Sequence, residues 1–303
     1  TGASILSDVE ALSHCMLLWR SFTHWIGGMG VLVFILCLLP LTGGYHMNLM
    51  KAESPGPSVS KLVPKVQTTA KILYTIYLML TVLQMILLLI GRMPLFDTVC
   101  LTFGTAGTGG FGIKNDSIAG YSTYNQIVIT VFMILFGVNF NVYYLLLTKK
   151  VVQAAKSEEV RYYFGIIAVA IIAIAINTKG MYTSFGRAIQ QAAFQVGSII
   201  TTTGYATTNF NVWPVLSKTI LVMLMFVGAC AGSTGGGIKV SRLMILCKSA
   251  RKELQLYLHP NAVKKIKMDD KAIPHEVVRA TNMFLFVYIL IFVVSLLVIS
   301  LDN

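Results

Sequence analysis

The stretch "LFDTVCLTFGTAGTGGFG", residues 95–112, decides the fold of this chain. Its first twelve residues are an apolar piece too short to cross a bilayer, which takes about 20 helical residues, and glycines and a threonine follow. A second stretch of the same kind is "FGRAIQQAAFQVGSIITTTGYATTNFN", residues 185–211. Each stretch lies between two longer apolar runs, so the sequence contains an internal repeat of the kind that builds membrane transport proteins.

The composition identifies an integral membrane protein. Hydrophobic residues make up 55% of the 303 positions and charged residues 12%, with a mean hydropathy of +0.73, a balance that a soluble domain of this length does not keep. The fold class is therefore predicted to be all-α integral membrane. The predicted spans are 16–40, 72–91, 126–148, 162–177 and 280–300, with an interrupted span at 213–247.

The net charge of +12 follows a membrane topology rather than a nucleic-acid surface. Segments 43–72, 146–162 and 238–280 carry 18 of the 24 lysines and arginines, and positive charge concentrates on the cytoplasmic side of membrane proteins. These three segments are therefore placed inside the cell. No DNA-binding motif accompanies the charge, so nucleic acid is not an expected partner, whereas membrane lipid is. The five cysteines show no metal-ligand spacing, and no bound cofactor is predicted.

The two short apolar pieces are predicted to be pore helices that enter the membrane from outside. Non-helical backbone survives at membrane depth only where it is buried in protein or lines water, and the C-terminal end of a helix stabilises a cation. Thr108-Gly109 and Thr203-Gly204 follow the two pieces, and Thr1-Gly2 precedes span 16–40 in the same way. Glycine adopts φ > 0 and lets successive carbonyls turn towards one axis. These three Thr-Gly pairs are predicted to bind ions as a selectivity filter. The alternative is a set of glycine-rich extracellular loops between ordinary helices.

Seven stretches in combination resemble the Trk/Ktr family of potassium uptake subunits, and more closely its Trk type. They are "TGASILSDVE", "LLWRSFTHWIGGMGVLVF", "GTGGFG", "FGVNFNVYY", "TTTGYATTNFNVWP", "GACAGSTGGGIKVSR" and "HPNAVKKIK". The resemblance implies four units of span, pore helix and span around one pore, with potassium as the substrate. It also implies a homodimer in the bacterial plasma membrane and a cytosolic nucleotide-binding regulatory ring as partner.

Compared with this family, the chain is expected to hold about 2.5 of the four units. The predicted divisions are 1–48 for the end of unit 1, 49–150 for unit 2, 151–258 for unit 3 and 259–303 for the start of unit 4. The first unit is expected only from its filter onward and the fourth only as its first span. Both ends of the chain are therefore expected to be cut.

The glycine-rich stretch "GACAGSTGGGIKVSR", residues 228–242, interrupts the predicted span at 213–247. It looks like a phosphate-binding loop, but Ile238 stands where such a loop needs a lysine, and Val240 where it needs a hydroxyl. The family resemblance implies an intramembrane loop below the filter that gates the pore, and the alternative is a surface of small residues for close helix packing. The predicted gate residues are Gly228, Ala229, Cys230, Ala231, Gly232, Ser233, Thr234, Gly235, Gly236 and Gly237.

Potassium uptake, rather than an enzymatic activity, is the function that the sequence favours. A sodium-permeable or poorly selective transporter is the alternative in the same class, and a membrane ATPase using residues 232–239 or a scaffold without a pore are alternatives from other classes. Apart from Asp97, near the outer end of its pore helix, the acidic residues are expected to lie in loops, so no proton relay is predicted. The basic segment 248–279 is predicted either to dock the regulatory ring or to contact lipid.

Overall fold

Helices form nearly all of the regular structure, as the composition predicts. The computed structural model describes residues 6–28, 30, 66–259, 265–269 and 271–301. Their helices are α1 (His14–Gly28), α2 (Val66–Ile90), α3 (Leu95–Ala106), α4 (Thr123–Phe136), α5 (Phe140–Leu147), α6 (Val151–Lys156), α7 (Glu158–Thr178), α8 (Phe185–Ile200), α9 (Val215–Val227), α10 (Val240–Leu258) and α11 (His275–Ile299). Short 3-10 turns cover Lys179–Met181 and Phe210–Val212, and an antiparallel hairpin pairs β1 (Lys267–Met268) with β2 (Lys271–Ala272).

The long helices occupy four of the predicted spans at least in part. Helix α2, the segment Glu158–Met181 and α11 are each long and apolar enough to cross a membrane, and the bent pair α4 and α5 is a fourth candidate. The predicted span 16–40 is described only through α1 and Gly30. Thr1 and Gly2, together with the basic residues between 43 and 65, lie outside the described residues.

The two predicted pore helices are present with the expected boundaries. Helix α3 covers residues 95–106 and α8 covers residues 185–200. Pro94 precedes α3, a position where the missing N–H of proline costs no helical hydrogen bond. The Ser184 hydroxyl accepts a 3.2 Å hydrogen bond from the Arg187 N–H and so caps α8. Both helices begin at signals that the sequence displays.

The prediction of one continuous span at 126–148 is wrong. Helices α4 and α5 meet at a bend of 93° between Phe136 and Phe140. Gly137 ends α4, and the Asn139 side chain caps α5 by accepting a 3.0 Å hydrogen bond from the Asn141 N–H. Hydropathy alone does not reveal the bend because both halves are apolar. The carbonyls that the bend frees have partners in residues 228–237, as described below.

The break in the predicted span at 213–247 is observed. Helix α9 ends at Val227 and α10 begins at Val240, with twelve residues between them. The Gly228 backbone has φ of +73° and Gly237 of +81°, conformations that favour glycine. The glycine-rich composition of this segment therefore ends one helix and allows a tight turn before the next.

Two large hydrophobic clusters of the described residues pack around α3 and α8, and a small one, around Leu17, Cys100 and Ile113, joins α1 to α3. One of the large clusters joins α2, α3 and α4 through residues such as Tyr77, Leu101 and Phe136. The other joins α7, α8 and α9 and extends into the glycine-rich segment and α10. Phe194 of α8 and Tyr205 belong to the first cluster, so the second repeat also packs against the first. The clusters place the C-terminal ends of both pore helices side by side.

Candidate ion-conducting site

The turns after the two pore helices have the same backbone hydrogen bonds. After α3, the N–H groups of Gly109 and Gly110 both donate to the Gly104 carbonyl, at 2.9 and 3.3 Å. After α8, the N–H groups of Thr203 and Gly204 both donate to the Ser198 carbonyl, at the same two distances. Residues 108–110 therefore correspond to residues 202–204.

This correspondence places the predicted pair Thr108-Gly109 one residue earlier in its turn than the predicted pair Thr203-Gly204. Thr108 and Thr202 have φ of +48° and +58°, and Gly110 and Gly204 have φ of +70° and +90°. The glycine equivalent to Gly204 is thus Gly110, while Gly109 is equivalent to Thr203 and is not among the residues with positive φ. The positive φ expected of a filter glycine is therefore found at Gly110 and not at Gly109, and the assignment of Gly109 to the filter stays a prediction. The sequence offered two adjacent glycines, and nothing in the pattern distinguished them.

Close contacts explain why small residues are needed at the first turn. A Cβ atom at Gly109 would lie 2.0 Å from Nδ1 of His24, and one at Gly110 would lie 1.7 Å from the Thr203 carbonyl oxygen. His24 is buried, and its ring centroid lies 4.2 Å from that of Phe111. At Gly204 a Cβ atom would meet nothing within 4 Å, so only the positive φ restricts that position. The sequence alone gives no signal that connects His24 with this turn.

The loop that follows the first turn is tied to the acidic segment near residue 8. The Asn115 amide nitrogen Nδ2 donates to Oδ1 of Asp8 at 2.8 Å, and the Asn115 backbone N–H donates to Oε1 of Glu10 at 3.0 Å. The hydrogen bond from Asn115 lowers the pKa of Asp8 below its ordinary value. Asp8 is therefore ionised at neutral pH and places negative charge beside the loop that follows the first turn.

Residues 228–239, the predicted gate loop with its connection to α10, fold into a narrow turn held by its own glycines. A Cβ atom at Gly237 would lie 2.5 Å from Cα of Gly228, and one at Gly228 would lie 2.4 Å from the Gly236 carbonyl oxygen. The Ala229 N–H donates to that carbonyl at 3.3 Å. Larger side chains at these positions would force the two sides of the loop apart.

The predicted gate loop contacts both of the turns that follow α3 and α8. The Thr108 hydroxyl donates to the Thr234 carbonyl at 2.9 Å, and the Gly236 N–H donates to the Thr202 hydroxyl at 2.7 Å. A Cβ atom at Gly235 would lie 3.0 Å from the Thr201 carbonyl oxygen. The loop therefore lies immediately against the ends of the two turns.

The gate loop also supplies the missing partners of the bend between α4 and α5. The Cys230 N–H donates to the Gly137 carbonyl at 3.0 Å, and the Phe140 N–H donates to the Gly232 carbonyl at 3.0 Å. The Phe136 carbonyl accepts from the N–H and the hydroxyl of Thr234, at 3.3 and 3.2 Å. Polar backbone in a low-dielectric interior needs such partners, so the bend and the loop depend on each other.

The loop does not have the geometry of a nucleotide-binding loop. The element before it is helix α9, whereas a phosphate-binding loop follows a strand. Lys239 is buried, and its ammonium donates to the Gly235 carbonyl within the same loop rather than projecting outward. The alternative of an ATPase using residues 232–239 therefore has no support in the structure.

The expectation that the acids other than Asp97 lie in loops is wrong, because Glu158, Glu159, Glu253 and Glu276 all lie in helices. Of these four, only Glu159 is buried. Glu159 belongs to the first turn of α7 and is only 5% exposed. Its Oε1 atom accepts a 2.6 Å hydrogen bond from the Ala231 N–H of the gate loop. The sequence does not reveal this contact, because "SEEVRYY" is typical of a charged helix start. Glu159 reaches the loop only in the folded protein.

A long apolar helix, a short helix, a glycine-containing turn and a further apolar segment occur in this order twice, which defines an all-α membrane protein with an internal repeat. The model of the TrkH family, described as "Cation transport protein", matches residues 1–303. The chain belongs to this family. Membership confirms the resemblance, the all-α membrane fold and the multi-pass location in the plasma membrane.

Known relatives agree with this assignment over nearly the whole chain. The Trk system potassium uptake protein TrkH of Salmonella typhimurium is 36% identical over 305 residues, which cover 99% of this chain and 63% of the relative. The Trk system potassium uptake protein TrkG of Escherichia coli K12 is 32% identical over 305 residues, with the same coverage. The crystal structure of the potassium transporter TrkH from Vibrio parahaemolyticus aligns with a TM-score of 0.83 and 32% identity, covering 98% of this chain and 61% of that one. The chain thus spans less than two thirds of the length of these relatives.

Proposed function

We propose that this chain forms part of a potassium uptake transporter, in which the two turns after the pore helices each give one wall of the selectivity filter. The observation that carries this proposal is the pairing of the turns, with Gly110 packed against the Thr203 carbonyl and Gly204 facing open space. The names of the relatives, which are potassium uptake proteins, support potassium as the transported ion.

The geometry suggests how the two turns would act on a cation. Each pore helix ends towards the turn, so its dipole adds negative potential there. Backbone and threonine oxygens can then replace the hydration shell of a monovalent ion. The residues proposed to line the path are Thr108, Gly109, Gly110, Thr202, Thr203 and Gly204, with Thr1 and Gly2 from the part of the chain outside the described residues.

The gate loop is proposed to stop the ion immediately below the filter. A turn built of Gly, Ala, Ser and Thr obstructs a path by its position and not by binding the ion. Its contacts with Thr108, Thr202 and the α4–α5 bend would hold it in place, and their release would open the path. In this proposal, pulling on α10 moves the loop, because Val240 begins that helix directly after it.

Assembly belongs to the same proposal. The Trk system names of the relatives imply other components, and the basic residues of α10 and the β-hairpin offer a cytoplasmic surface for an acidic partner or for lipid headgroups. We propose a homodimer with a cytosolic nucleotide-binding regulatory ring. We also propose that the chain divides into repeated units after residues 48, 150 and 258.

The proposal is tested by serine substitutions at two glycines whose surroundings are equally open. A Cβ atom meets nothing within 4 Å at either Gly204 or Gly165, but Gly204 has φ of +90° and Gly165 lies in the regular helix α7. In the product of the intact gene, Gly204→Ser is expected to erode the selectivity for potassium over sodium, whereas Gly165→Ser is not. Two assays in a strain without other uptake systems measure the selectivity. One is growth at low potassium, and the other is the flux of rubidium compared with that of sodium. Unchanged selectivity of a well-expressed Gly204→Ser protein would contradict the filter.

A further inference from the structure

Glu159 and its neighbour Glu158 occupy different environments at the start of α7. Glu158 is partly exposed and pairs with Lys248. Glu159 is buried, and its carboxylate is directed at backbone N–H groups instead of a basic side chain. Burying a carboxylate costs free energy unless its oxygens accept hydrogen bonds. The buried position of Glu159 therefore needs a structural reason, whereas the partly exposed position of Glu158 does not.

One oxygen of Glu159 joins the two ends of the gate loop. Its Oε1 atom accepts from the Ala231 N–H at 2.6 Å and from the Ser241 N–H at 3.2 Å. Ala231 lies in the first part of the loop, and Ser241 lies in the first turn of α10, where N–H groups have no partner inside the helix. The carboxylate thus replaces the partners that both backbone groups lack, and it holds the loop and the start of α10 in a fixed relation.

The second oxygen of Glu159 extends this connection to the bend between α4 and α5. Its Oε2 atom accepts from Nδ2 of Asn139 at 3.3 Å. Asn139 is the residue that caps α5 through its other amide atom, and Gly137 in the same bend accepts from Cys230 of the loop. A single carboxylate therefore contacts the loop, the helix after it and the bend against which the loop rests.

We propose that Glu159 is a positioning residue that latches the gate loop in its closed conformation. The inference rests on the proposed gating function of the loop. Hydrogen bonds to an ionised acceptor are stronger than neutral ones, and the loop cannot leave its place below the filter without breaking the bond from Ala231. Opening then requires the Ala231 N–H of the loop and the Ser241 N–H of α10 to leave the same Oε1 atom. This shared acceptor couples movement of α10 to movement of the gate loop.

The test uses Glu159→Gln, with Glu158→Gln as the matched control, in the product of the intact gene in native membranes. Glutamine keeps the shape but removes the charge and leaves one acceptor oxygen in place of two. The buried Cys230 of the loop reports its release through reaction with a thiol reagent. Cys15, Cys37 and Cys247 are replaced by serine beforehand, and a Cys230→Ala protein gives the background.

We expect Glu159→Gln to raise the rate of Cys230 labelling about tenfold, the size of effect that losing one charge-assisted hydrogen bond produces. Potassium flux is expected to rise with it and to depend less on cytosolic partners, while Glu158→Gln changes neither quantity. If Glu159→Gln does not accumulate in the membrane, Glu159→Asp, which keeps the charge but withdraws the oxygens, is tested in the same way.

Deletion of part of residues 229–236 separates failure of the latch from failure of the gate. If the deletion raises flux but folded Glu159 variants label and transport like the parent, the latch is overturned and the gate stands. If the deletion leaves flux unchanged, the gating function fails and the latch with it. If neither Glu159 variant accumulates, the carboxylate serves the fold alone, which also overturns the proposal.

Discussion

Two adjacent glycines in the turn after α3 cannot accept a larger side chain, but for different reasons. Gly109 is limited by a side chain, that of His24, whereas Gly110 is limited by the Thr203 backbone and by its own φ of +70°. A side chain can be shortened by mutation, but a carbonyl group cannot. The two adjacent glycines therefore respond differently to the same substitution.

We expect Gly109→Ala to lower folded yield and flux, and His24→Ala introduced with it to restore much of both. Overpacking of this kind costs about 1–3 kcal/mol and is relieved when space is made. Gly110→Ala is expected to lose flux without rescue by His24→Ala. Yield of purified protein and rubidium uptake of the single and double variants measure this. Equal rescue at both positions would contradict the register in which Gly110 corresponds to Gly204.

At the scale of elements, the loop and the helices around it depend on one another. The bend between α4 and α5 frees carbonyls that the gate loop uses, and the loop contains N–H groups that the bend and Glu159 accept. Without the other, the bend and the loop would each contain backbone N–H and carbonyl groups that lack a hydrogen-bond partner. The two turns are held by their own hydrogen bonds to Gly104 and Ser198 as well as by their contacts with the loop.

Deleting part of 229–236 is therefore expected to raise potassium flux and weaken its dependence on the regulatory partner, with selectivity over sodium largely kept. A bias of about 1.4 kcal/mol already changes the open fraction of a mostly closed pore about tenfold. Flux assays with and without the cytosolic partner measure this. A surface for helix packing predicts instead that folded yield and flux fall together, and a well-folded protein with reduced flux and full partner dependence would reject the gate.

Sequence reasoning located helices more reliably than it located the contacts between them. The pore helices α3 and α8 were predicted to the residue because short apolar pieces end at glycine and threonine. The bend at Gly137 was missed because hydropathy is the same on both sides of it. The register of the filter turn and the role of Glu159 were missed because both depend on atoms far apart in the sequence, such as Thr203 beside Gly110.

At the scale of the whole molecule, the fold and the charge distribution imply one orientation. The pore helices start on the side where few basic residues lie, and α10, with Arg242, Lys248 and Arg251, leads to the opposite side. Positive residues stay preferentially in the cytoplasm. The filter turns should therefore face the outside, and the gate loop should lie between them and the cytoplasm.

This orientation predicts which cysteines a membrane-impermeant thiol reagent can reach on intact cells. Cys15, at the start of α1, is exposed and should react from outside, whereas the exposed Cys247 of α10 should react only after the membrane is permeabilised. With the native cysteines replaced by serine, Asp116→Cys and Asn209→Cys should behave like Cys15, and Arg251→Cys should behave like Cys247, because these three positions are exposed. Mass-tag gel shifts before and after permeabilisation measure the labelling. Because one topology assigns all of these positions, the reverse pattern would invert the sides of the two turns and the gate loop together. A gate on the outer side could not be reached by a cytosolic regulator, so that result would contradict the gating proposal together with the topology.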